Sequence, residues 1–217
     1  KLGYTFNGWY TANEGGTQIT EKTKVSVQND HILYARFTPI AYTITYSGTD
    51  GAENPNPGQY NIESDSITLA DAQMQGYTFK GWYADKECVG DPIRIIPANS
   101  TGNLNLYAKW NENHYTVIFH SNDGKSYSKE QSFAYSENIA LEKNSFVRDG
   151  YSFSGWATES NGEVMYTDQQ MISGLSDADN GIVDLYAVWT ADTYSIIYKN
   201  MENAVNAEDN LTEFTLE

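Results

Sequence analysis

The word GYTFNGWY fills residues 3–10, GYTFKGWY fills residues 76–83, and GYSFSGWA at residues 150–157 is a third copy. Each is followed by a second shared word: LYARF at 33–37, LYAKW at 106–110 and LYAVW at 185–189. Two words recurring in one order mean that a single structural unit is repeated, and this constrains the fold more than any local propensity. Gly3 and Gly76 are 73 residues apart, and Gly76 and Gly150 are 74 apart. A unit of roughly 70 residues buries only about 60% of its unfolded surface and needs a dense core or a staple. Cys88 is the only cysteine, so no disulfide within the chain supplies one. The weight falls on 17 Tyr, 8 Phe and 5 Trp, and on contacts between neighbouring units. Cys88 itself lies in one copy alone and reads as a neutral local substitution.

The words read as strands. Residues 42–46 (YTITY), 115–119 (YTVIF) and 194–198 (YSIIY) are β-branched and aromatic and hold almost no helix formers. Turn chemistry follows the first two, at 48–58 and 122–124. Second strands are expected at 59–62, 132–135 and 212–216. The segments 67–75 and 139–147 that follow are long enough for one or two helical turns. Within the long word, plain alternation places Tyr77 and Phe79 on one face and Trp82 on the other. A bulge at Gly81 would return Trp82 to the face of the Phe. In the closing word Leu106, Ala108 and Trp110 share a face. The expected core is therefore Tyr77, Phe79, Trp82, Leu106, Ala108 and Trp110 in one copy, and Tyr151, Phe153, Trp156, Leu185, Ala187 and Trp189 in the next. Tyr34, Tyr107 and Tyr186 point the opposite way and are the candidate exposed contacts. Their neighbour varies as Arg36, Lys109 or Val188, as a partly exposed site does. The stretches 11–30, 84–105 and 158–184 differ in length and sequence, as surface loops do.

In register, the chain divides into the back half of a unit (residues 1–37), complete units at 42–110 and 115–189, and the front half of another at 194–217. The first residues already lie inside a repeat, so the chain reads as a segment of something longer. Connectors of about four residues join the units into a semi-rigid, elongated string. The unpaired halves make head-to-tail self-association by strand addition a further expectation.

A formal charge of −16 with only 13 Lys and Arg argues against nucleic acid and against an anionic membrane surface. No apolar run approaches the roughly 18 residues that span a bilayer, so direct membrane insertion is not expected. His31, His114 and His120 occupy unlike positions, and no metal-ligand spacing or catalytic motif accompanies them. The acidic stretch 176–184 invites a calcium reading. Counting from Asp177, however, glycine falls at position five and Val188 at position twelve, where an EF-hand needs position six and a Glu. It reads as an acidic loop tip, and no cofactor or metal is expected. Trp9, Trp82 and Trp156 could form a carbohydrate platform, but their recurrence beside glycine and Phe favours the core.

Together the YTV-like strand, the turn, GYTFxGWY and LYAKW resemble the Listeria–Bacteroides repeat, the internalin B-repeat, over nearly the whole chain. Ala157 departs from the pattern after Trp156, Phe37 departs from the closing Trp, and the third copy carries a longer insert. The resemblance implies a β-rich α+β fold: tandem β-grasp-like modules of about four strands with a short helix allowed. It also implies a large bacterial surface protein, extracellular and non-enzymatic, in which the repeats act as stalk and in adhesion. The alternative is a dedicated module whose variable loops bind a glycan or host protein. A weaker third reading is the accessory region of an exported enzyme.

Overall fold

The structure, a computed structural model, describes residues 1–199, 207 and 209–216. It divides into two compact units, Lys1–Met74 with Phe79–Asn111, and Gln75–Thr78 with Glu112–Glu217.

The second unit holds the third repeat, built around a four-stranded mixed sheet. Its strands run in the order Ser128–Ala134, His114–His120, Gly181–Ala191, Tyr151–Ala157. The two central strands are parallel, from Tyr115↔Gly181 to His120↔Tyr186, and both outer pairings are antiparallel. Alternation in the first strand sends Tyr115, Val117 and Phe119 inward and Thr116, Ile118 and His120 outward. The inner set meets Phe133, Leu141, Trp156, Ile172, Leu185 and Ala187 in one core. Tyr115 stacks on Phe133 at 5.2 Å. A separate arm, Ile139–Ala140 paired with Met171–Ile172, closes over this face. Beyond the sheet, Thr193–Ser195 pairs with Glu213–Thr215 as a two-stranded ribbon.

The first unit repeats the plan. Its sheet order is Gln59–Tyr60, Tyr42–Ser47, Leu104–Glu112, Tyr77–Tyr83, with Tyr42–Ser47 and Leu104–Glu112 parallel. Ile67–Thr68 pairs with Ile95–Ile96 as the arm. The core is Ile44, Tyr60, Leu69, Ala72, Trp82, Ile96 and Leu106. A three-stranded sheet of Gln18–Ile19, Tyr4–Tyr10 and Tyr34–Pro39 precedes it.

A bulge in the long word decides where its Trp goes. Pairing steps from Phe153↔Trp189 to Gly155↔Val188, leaving Ser154 as the extra residue, and then to Trp156↔Ala187. Cross-strand partners share a face, so Trp156 rejoins Phe153 on the side of Ala187 and Trp189. The same step occurs between Phe6 and Gly8. Gly155 sits at φ 149°, and a β-carbon there would lie 2.7 Å from the Tyr166 carbonyl oxygen, so only glycine fits.

Three expectations need correction. The helical turns expected in 67–75 and 139–147 do not form, and the described residues hold no helix, so the fold is all-β rather than α+β. The backbone there is committed across the arm: Leu69 N donates to Arg94 O, and Leu141 N to Gln170 O. The Ala70 carbonyl accepts from the Trp82 indole and from Asn56 Nδ2. Second, strand bounds move: the second strands are Gln59–Tyr60, Ser128–Ala134 and Glu213–Thr215, and the strand expected at 194–198 is Thr193–Ser195. Third, Trp9 is 47% exposed rather than core, and its ring neighbour Phe6 is 49% exposed. The N-terminal three-stranded sheet has no counterpart of Tyr42–Ser47 to cover them.

Candidate functional site

Among the residues expected in the core, Trp82, Leu106, Trp156, Leu185 and Ala187 are buried. Phe79, Ala108, Trp110, Phe153 and Trp189 are half-buried at the margins of the two cores, while Tyr77 and Tyr151 are half-buried against Tyr135 and Leu216 instead. The closing Trp clamps a turn as well as packing. Trp110 Nε1 donates to Gly48 O and Trp189 Nε1 to Ser121 O, both at 2.8 Å, fixing the chain just after the first strand.

The candidate contact residues lie on the sheet face away from the core. Tyr34 is exposed, whereas Tyr107 and Tyr186 are half-buried. Tyr186 stacks on His120 at 4.6 Å, and His120 Nε2 meets Asp184 Oδ1 at 2.7 Å. His31 and His114 are exposed, and His114 N is held by Asp179 Oδ1 at 3.3 Å.

The insert after each of the first two long words folds back over this outer face through a cation whose position looks like free variation in the sequence. Lys109 Nζ lies 5.3 Å from the Tyr83 ring centre and donates to Cys88 O at 3.2 Å. In the first half repeat Arg36 lies 3.9 Å over Tyr10 and donates to Ala12 O and Gly15 O. The third repeat has Ala157 and Val188 at the corresponding positions, and Ala157 is buried. Ring and cation are therefore lost together. That joint departure was visible in the sequence and was the signal for the contact.

The first unit also carries a cleft of about 340 Å³ beside Trp82, floored by Leu69, Phe79 and Pro92 and edged by Asp71, Lys80 and Arg94. The Lys80 and Arg94 side chains make no hydrogen bond or ion pair among the described residues. An apolar floor with convergent charges can hold an extended chain or a sugar face. The acidic stretch 176–184 is spent on the fold. Asn113 Nδ2 donates to Asp177 O, Asn180 N donates to His114 O, and Asp184 is taken up by His120. Among the described residues no three His, Cys, Asp or Glu side chains are grouped to hold a metal. No described helix is long and apolar enough to cross a membrane.

The words, the bulge and the repeated sheet order meet a known family. Residues 1–36, 42–109 and 115–188 match the Listeria-Bacteroides repeat domain. The chain belongs to that family. It is 36% identical over 116 residues to Internalin H of Listeria monocytogenes, covering 52% of this chain and 20% of that protein. It is 28% identical over 212 residues to a putative Gly-rich membrane protein of Evansella cellulosilytica, covering 92% of this chain and 22% of that protein. A putative membrane protein of the same organism is 29% identical over 198 residues, covering 88% of this chain and 28% of the relative. The chain thus spans between a fifth and three tenths of the curated relatives it matches. It shares its repeat domain with proteins described as internalin and as membrane proteins.

Proposed function

We propose that this chain is a non-catalytic stalk segment of a bacterial cell-surface protein, lying outside the cell and holding other parts of that protein away from the envelope. The observation that carries this reading is the reuse of one sheet plan with almost no linker. Between the last strand of one repeat and the first of the next stand only residues 40–41, Asn113 and Asp192. Links so short favour a stiff spacer over a set of freely moving domains. The order second–first–fourth–third of the main-sheet strands, with a parallel centre, supports reading each repeat as β-grasp-like, with the two-stranded arm in the place of a helix. Neighbouring repeats are the partners this reading assigns. The exposed Phe6 and Trp9 also support head-to-tail strand addition between copies, which a constant light-scattering mass across concentrations would rule out.

The second reading is binding to a glycan or host protein through the inserts, favoured by the cleft beside Trp82 and its two unpaired cations. The two readings separate in one experiment: replace the second repeat of the parent surface protein by a copy of the third and measure cell adhesion. A stalk keeps its adhesion. A binding module loses it, and a glycan-array and matrix-protein screen on the chain then names the ligand.

A further inference from the structure

The glycine that opens each long word meets a side chain from the repeat after it. A β-carbon on Gly3 would lie 2.6 Å from Ile62 Cδ1; on Gly76, 2.0 Å from Tyr135 Cδ1; on Gly150, 2.1 Å from Leu216 Cδ1. Ile62, Tyr135 and Leu216 hold one position, two residues past the second-strand aromatics Tyr60, Phe133 and Phe214. The three glycines share φ 74°, 75° and 75°, and each carbonyl accepts a backbone bond at 2.9 Å, from Ile40, Asn113 and Asp192 respectively. The tyrosine after each glycine completes the contact. Tyr4 Oη donates to Glu63 Oε1, the Tyr77 ring meets Tyr135 edge-on at 6.2 Å, and Tyr151 Oη donates to Leu216 O. A basic side chain backs the ring in two of them, with Lys1 3.5 Å over Tyr4 and Arg148 3.8 Å over Tyr151. The compact unit that holds the third repeat includes Gln75–Thr78, although these residues open the second repeat's long word.

We propose that this turn is a docking socket for the front half of the following repeat, with the residue two past the second-strand aromatic as its plug. The socket accepts Ile, Tyr or Leu, so its demand is apolar bulk against a bare glycine, and one repeat can follow another without a matched partner sequence. It holds for a stalk and for a binding segment alike. The glycine is doubly constrained. Tyr4 N returns to Lys1 O and Tyr151 N to Arg148 O, turns whose third residue needs positive φ. Asparagine satisfies that need, but its β-carbon would still strike the plug.

The ribbon Thr193–Ser195 with Glu213–Thr215 gives the test. Two strands alone are marginal in water, so the ribbon's order rests on the Gly150 socket. Hydrogen exchange on the chain should show Gly150→Asn lowering protection in the ribbon by roughly tenfold, while Tyr151–Ala157 and Gly181–Ala191 keep theirs. Leu216→Ala should do the same, and Gly150→Asn in the Leu216→Ala background should add little. The proposal is overturned if either single variant leaves the ribbon unchanged. It is equally overturned if Gly150→Asn weakens sheet and ribbon together whether or not Leu216 is present, because the glycine then serves only its own turn.

Discussion

Lys109 stands over the Tyr83 ring, its ammonium 5.3 Å from the ring centre, while donating to the Cys88 carbonyl at 3.2 Å. One side chain thereby binds the last strand of the sheet, the strand before it and the insert that crosses their outer face. The attraction of an ammonium for an aromatic face at an exposed site is worth about 0.5–1 kcal/mol. Lys109→Met should lose that amount in urea denaturation and raise hydrogen exchange in residues 84–90. Lys109→Arg should keep both, because Arg36 performs the same role over Tyr10.

Much of this architecture was legible before any coordinates. The words located the strands, and the glycine of the long word signalled the bulge seen at Gly8 and Gly155, because glycine inside an aromatic strand has no packing value of its own. The arm was not legible. Ile67–Thr68 and Ile95–Ile96 are two residues each, too short for period-two alternation to declare itself, and their partners lie far along the chain. The docking contacts were hidden for another reason: Ile62, Tyr135 and Leu216 differ in type, and only their placement against the glycines relates them. The Arg36 and Lys109 contacts could have been found by reading each with Tyr10 and Tyr83 rather than alone.

The two buried Trp side chains should respond differently to the loss of the indole nitrogen. Both are 1% exposed, and replacing either by Ala should cost about 3–5 kcal/mol, as large truncations in a packed core do. Trp82 Nε1 donates to Ala70 O at 2.9 Å, whereas Trp156 Nε1 is buried with no partner among the described residues. Trp82→Phe forfeits a hydrogen bond; Trp156→Phe removes an unsatisfied donor. Trp156→Phe should therefore be the milder change by about 1–2 kcal/mol, read from the midpoints of the two urea transitions. Equal losses would mean that ring volume alone governs both sites.

Gly155 tests the bulge. Its φ of 149° is strained for any side chain, and a β-carbon would meet Val164 Cγ1 at 2.5 Å and the Tyr166 carbonyl at 2.7 Å. The first neighbour can rotate away, but the second is backbone. Gly155→Ala should cost roughly 1–3 kcal/mol, and it should do so by loosening Trp156, which bonds to Tyr166 on both backbone sides. Tryptophan fluorescence should shift to the red in the variant before global unfolding.

Acid sensitivity should concentrate where one repeat gives way to the next strand. Ser136 donates to the Glu112 carboxylate through its hydroxyl, and its backbone N–H donates to Glu112 Oε1 at 2.7 Å. These two bonds hold the Glu112 pKa below the ordinary glutamate range. Asp123 is held low in the same way, first by the Ser121 hydroxyl. A carboxyl group whose folded pKa is depressed contributes its full stability above the unfolded pKa, near 4 for these groups. That contribution is lost as pH falls through the lower folded pKa. Stability should therefore be flat above about pH 5 on account of these groups and decline below about pH 4. Ser136→Ala removes the larger of the Glu112 contacts and should move that titration back toward the ordinary range while leaving Asp123 unchanged. Carbon-detected NMR titration of the side-chain carboxyls reads both groups at once. An unmoved Glu112 would assign its depression to the backbone N–H of residue 136 alone.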